Sequence, residues 1–91
     1  MAESCTGGLL ASQITLAQGV SDVFMGGFVT YSNRMKRDIL GVPTHILSTM
    51  GAVSRPVALH MALGSKALTE TTWDVSITGI AGPTGVTDKK P

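Results

Sequence analysis

Only two stretches of this sequence alternate in the manner of a β-strand: "GGFVTYS" at 26–32, rich in β-branched and aromatic residues, and "WDVSIT" at 73–78. Helical patterns occupy most of the remainder, so the order reads α, β, α, α, β, then a glycine-rich loop and a polar tail. Two strands leave their edges unpaired and make no comfortable sheet by themselves. The chain is therefore expected either to be part of a larger domain or to complete its sheet with a partner chain, as a homo-oligomer would. The tail "TDKKP" brings no further element, which favours the first expectation.

Local signals place the helices. Residues 4–17 read as a first helix with Leu9, Leu10, Ile14 and Leu16 as its apolar side chains, capped by Ser4 or Thr6 and stopped near Gly19. "NRMKRDILG" reads as a second helix over 33–40, ended by Gly41 and Pro43. A short helical turn is expected over 44–49. The clearest helix is "VSRPVALHMALGSKALTE", with Ser54 as its cap and Pro56 in the permissive first turn. Val57, Met61, Gly64 and Leu68 fall on one stripe of it, with His60 just beside.

Composition narrows the function. Ninety-one residues make one domain at most, and with 43% apolar but only 4% aromatic residues the core must come from Ala, Val, Ile, Leu and Met. A net charge of +1 with 14% charged residues leaves no basic face for nucleic acid, and "RMKR" at 34–37 reads as a solvated helix face. Cys5 is the sole cysteine, so no internal disulfide can form, and a reducing, cytoplasmic setting is expected. No apolar run approaches the ~18 residues of a membrane span. Glu3 stands where a signal peptide would be basic.

Familiar motifs are missing. There is no GxSxG, no SxxK (Gly7 stands three after Ser4), no P-loop, no GxGxxG and no HExxH. Three stretches remain: "AESCTGG", "TYSNRMK" and "TGIAGPTG". Each alone has a structural explanation as cap, helix start or turn. Together they describe chemistry. Ser4 at a helix start faces free N–H groups suited to an oxyanion or phosphate. Lys36 lies in the first turn of the next helix, five residues after Tyr31, where the helix dipole disfavours the ammonium form. Such a lysine can serve as a base for a serine hydroxyl.

"AESCTGGLLAS", "GGFVTYSNRMKRDILGVP", "GAVS" and "TGIAGPTG" occur in order from Ala2 to the chain end and resemble the CinA C-terminal domain family. That family includes stand-alone nicotinamide mononucleotide amidases. The resemblance implies an α/β domain with a mixed sheet flanked by helices. It implies hydrolysis of the carboxamide of nicotinamide mononucleotide to nicotinic acid mononucleotide and ammonia, with a small-molecule nucleotide as substrate and with neither metal nor cofactor. By similarity Ser4 is the nucleophile, Lys36 its base, and Tyr31 relays or orients the proton. Thr6, Gly7 and the first helix's N–H groups would support the oxyanion. Asn33 and the loop from Thr78 through Gly79 and Gly82 to Pro83 would shape the pocket or hold the phosphate. Cys5 competes with Ser4, but no histidine lies near it and helical geometry would turn it away.

Family members usually carry a helix and strand before this motif, and strands and a helix after the Gly-Pro loop. A truncated domain over 1–91 is thus expected. Two further readings stay open: an inactive member that binds a nucleotide or a partner protein, and an accessory role in competence or DNA damage.

Overall fold

A computed structural model gives the fold, and the structure describes residues 1–80. Three short strands, β1 (Ala2–Glu3), β2 (Phe28–Val29) and β3 (Ser76–Ile77), pair in the order β2-β1-β3. Both pairings are parallel, with Ala2 opposite Phe28 and Ser76. Around the sheet lie α1 (Leu9–Ile14), α2 (Asn33–Asp38), α3 (Thr44–Met50) and α4 (Arg55–Thr69). The α/β class expected from the sequence is the class observed.

The central strand is the element the sequence reading lacked. Residues Ala2 and Glu3 carry the ladder: Ala2 N–H donates to Val75 O at 2.9 Å, Ser4 N–H to Ile77 O at 3.0 Å, and Thr30 N–H to Glu3 O at 2.9 Å. Both side chains are fully buried. A two-residue strand has no period to detect, and its second residue is a carboxylate, which strands disfavour. The first helix is correspondingly shorter than expected. Residues 4–8 form turns, because Gly7 (φ 61°) and Gly8 (φ 115°) adopt left-handed conformations that a helix cannot continue through.

The other helices follow their local signals. Ser32 caps α2 by accepting Met35 N–H at 3.1 Å, and Ser54 caps α4 by accepting Val57 N–H at 3.4 Å, with Pro56 in the first turn. Helix α4 packs on β1 and β3. Its buried row is Val57, Met61 and Ser65, spaced four apart, whereas Leu68, expected on this face, is exposed. Ser65 is tolerated there because its hydroxyl donates to Asp74 Oδ2 at 3.0 Å. Ala2, Leu40, Val42, Leu47, Val57 and Met61 form the core, with Phe28, Ile46 and Ala52 against it.

At Gly64 the helix meets the chain following α2 so closely that an added Cβ would overlap the Leu40 carbonyl. In an ordinary helix interior, Gly→Ala stabilises by about 1 kcal/mol. Here the sign reverses: Gly64→Ala should destabilise by about 1–3 kcal/mol through overpacking, read as a lower urea midpoint at unchanged m-value.

Candidate active site

Parallel pairing brings all three strand C-termini to one edge of the sheet. Ser4 follows β1 directly, Thr30 and Tyr31 follow β2, and Thr78 and Gly79 follow β3. The chain winds outward from β1 in one direction to β2 and in the other to β3. Such a reversal leaves a crevice beyond the strand ends, the usual ligand position in open α/β sheets. A cleft of about 370 Å³ occupies it, floored by Ser4, Cys5 and Lys36 and flanked by Tyr31 and Asn33. Ala52, Val53, Thr78, Gly79 and Ile80 form the opposite wall. Its size falls within the ~300–1,000 Å³ of small-molecule sites.

Lys36 is the centre of this edge. It is 1% exposed, and Nζ lies 2.9 Å from Ser4 Oγ, 2.9 Å from Thr30 O and 3.1 Å from Tyr31 O. As an ammonium it donates three bonds, one of them to the serine oxygen. As a neutral amine it has two N–H bonds, matched by the two carbonyls, and its lone pair is left for the Ser4 hydroxyl proton. Burial holds its pKa below the ordinary 10.5 by penalising the charged form, against a smaller opposing electrostatic influence from the neighbouring Cys5. The depression expected from the sequence is present. Its main source is desolvation rather than the dipole of α2, a helix of only six residues.

Glu3 organises the turn behind Ser4. Its Oε1 accepts from the Thr6 hydroxyl, from Gly8 N–H at 2.9 Å and from Leu10 N–H at 3.1 Å, and its Oε2 accepts from Ala11 N–H at 3.0 Å. Burial alone would raise its pKa. The four hydrogen bonds, that from Thr6 foremost, outweigh this and hold the carboxyl below its ordinary 4.5. Gly7 N–H is taken by Ser4 O and Leu9 N–H by Thr6 O. The N–H groups of the first helix are therefore engaged within the fold. Among the described residues, those of Cys5 and Thr6 meet no acceptor.

The structure thus gathers Ser4, Lys36, Tyr31, Asn33, Thr78 and Gly79 around one cleft. The Tyr31 side chain is largely exposed while its carbonyl binds Lys36. The Thr78 hydroxyl donates to Ala52 O at 2.9 Å. Thr6 and Gly7 lie behind the cleft, and Gly82 and Pro83 fall outside the described residues. Cys5 is half-buried and lines the cleft. No helix turns it away, because the helix starts at Leu9. What distinguishes Ser4 is that Lys36 bonds its oxygen. Sequence reasoning gave no role to Glu3, Ala52 or Val53, although "AESC" and "GAVS" contain them.

A larger cavity, about 600 Å³, opens at the opposite ends of the strands, between Met1, Gly26 and Trp73. No lysine lines it. Among the described residues no helix is long and apolar enough to cross a membrane, and no group of three or more His, Cys, Asp or Glu could hold a metal.

Comparison with known proteins identifies the surroundings of this site. The family model described as the CinA C-terminal domain matches residues 1–91. A CinA-like protein of Synechococcus sp. (strain CC9311) is 54% identical over the whole chain, and one from Prochlorococcus marinus is 52% identical. The chain spans 22% of the length of each. Among solved structures, the competence/damage inducible protein CihA from Agrobacterium tumefaciens superposes with a TM-score of 0.92 at 53% identity, covering 99% of this chain and 55% of that one. A competence-damaged protein (CinA) superfamily protein from Escherichia coli gives 0.92 at 40% identity, covering 99% and 52%.

The lowered pKa of Lys36 has a signed consequence for stability. Between the folded value and the unfolded 10.5, the unfolded chain binds more protons at this site, so unfolding free energy rises with pH across that window. Wild type should therefore gain stability relative to Lys36→Met as pH is raised from 7 towards 10. Urea unfolding of both proteins across this range checks it, and a constant difference would contradict the assignment.

Proposed function

Because the chain belongs to the CinA C-terminal domain family, we propose that it carries the serine amidohydrolase site for nicotinamide mononucleotide, with Ser4 and Lys36 as its catalytic pair. The observation that supports this most is the 2.9 Å contact between Lys36 Nζ and Ser4 Oγ, made while two carbonyls occupy the other Nζ positions. The fixed geometry aims the amine lone pair at the hydroxyl before substrate arrives.

The reaction follows from these groups. Neutral Lys36 takes the Ser4 proton as Oγ adds to the carboxamide carbon, and the carbonyl oxygen becomes an oxyanion. The unclaimed N–H of Cys5, which lines the cleft beside Ser4, is suited to receive that charge. The Lys36 ammonium then protonates the leaving nitrogen, the C–N bond breaks, and ammonia departs from an acyl-serine. Water, deprotonated by Lys36, hydrolyses the ester to nicotinic acid mononucleotide and restores Ser4. Tyr31, on the cleft wall, orients or relays the proton, and Asn33, Thr78 and Gly79 hold the nucleotide.

Ammonia release from nicotinamide mononucleotide tests the reading. Ser4→Ala and Lys36→Met should lower kcat by roughly 10³-fold or more, and Tyr31→Phe by roughly 10²-fold. A Ser4→Ala protein as active as wild type would remove Ser4 from the mechanism. Tight nucleotide binding without turnover by folded wild type would instead favour a noncatalytic binding module.

A further inference from the structure

We propose that Glu3 is the positioning residue for the oxyanion-binding amide of Cys5, an inference that rests on the amidohydrolase reading above. Between β1 and α1 the chain presents seven successive N–H groups, Cys5 to Ala11. Five are engaged: Gly7 by Ser4 O, Leu9 by Thr6 O, and Gly8, Leu10 and Ala11 by the Glu3 carboxylate. The remaining two immediately follow the nucleophile. Cys5 itself lines the cleft. A donor adjacent to the nucleophile is well placed for the oxygen that becomes negative when the bond to Ser4 Oγ forms.

Glu3 fixes those two groups without touching the substrate. On one side the Cys5–Thr6 segment is anchored by the strand ladder, where Ser4 N–H donates to Ile77 O at 3.0 Å. On the other it is anchored by the carboxylate, which grips the Thr6 hydroxyl, Gly8 N–H and the first turn of α1. The side chain is 0% exposed, so no water substitutes for its bonds. Its charge also meets the positive end of α1, so that end is satisfied internally rather than by the ligand. Glutamine cannot replace it. One oxygen would still accept, but the amide NH₂ would then oppose either Ala11 N–H or the Thr6, Gly8 and Leu10 donors.

Pyridine-3-boronic acid tests this independently of turnover. Ser4 Oγ bonds to boron, its proton passes to Lys36 Nζ, and the boron becomes tetrahedral and anionic, with an oxygen where the oxyanion would stand. In wild type the Cys5 amide proton should shift on adduct formation. Glu3→Gln should weaken the adduct roughly tenfold or more, Thr6→Val a few-fold, and Glu3→Asp should lie between wild type and Glu3→Gln. Ground-state binding of nicotinamide mononucleotide should change less than about twofold between Ser4→Ala and Ser4→Ala/Glu3→Gln, which a merely structural loss would not spare. Equal boronate affinity in wild type and folded Glu3→Gln, or a Cys5 amide proton that does not move, would overturn the role of Glu3 alone. If Glu3→Gln fails to fold, unchanged boronate affinity in Thr6→Val overturns it. Failure of wild type to form any Ser4 adduct would overturn the amidohydrolase reading along with it.

Discussion

Lys36 places a titratable amine where water hardly reaches it, and the surrounding chain is arranged to make that burial tolerable. An unpartnered buried amine would cost several kcal/mol. Its three neighbours are the Ser4 oxygen and two carbonyls from the segment that links β2 to α2. Those carbonyls converge because the chain leaves β2 at Val29 and enters α2 only after the Ser32 cap, so Thr30 and Tyr31 bend around the amine. The burial that makes those partners necessary also lowers its proton affinity, so structural and chemical requirements coincide in one side chain.

Glu3 and Ser4 divide the end of the central strand between them. Neighbouring residues at a strand end project to opposite sides, so a carboxylate can reach back beneath the turn while the hydroxyl points into the cleft. Two buried groups of opposite character, Glu3 and Lys36, thus lie on either side of Ser4. One holds the main chain and the other bonds the serine oxygen. Neither is part of the apolar core, which lies below among Ala2, Val57 and Met61.

What the sequence made legible depended on how local the signal was. Helix α4 could be read because the Ser54 cap, Pro56 and a row of buried residues are spaced within one element. Its row was misjudged at Leu68, since an aliphatic residue and Ser65 compete for the inner face and only the hydroxyl partner at Asp74 decides between them. Strand β1 escaped because two residues, one of them acidic, carry no alternation. The role of Glu3 escaped for a related reason: its partners are backbone groups, freed by the left-handed conformations of Gly7 and Gly8. Ser4 and Lys36 stood out by local chemistry, and the resemblance gave them and Tyr31 their roles. Their meeting in space needed the parallel pairing of strands far apart in sequence.

The contact between Lys36 and Ser4 crosses from α2, which follows β2, to the end of β1, and the two strands pair with Ala2 opposite Phe28 and Glu3 opposite Val29. Sliding one strand by a single residue would displace its end by about 3.3 Å, more than a hydrogen bond can absorb. A copy paired out of register would therefore lose the bond between the lysine and the serine. The buried contact thus works as a proofreading mark: only a correctly threaded sheet brings the amine and the hydroxyl together.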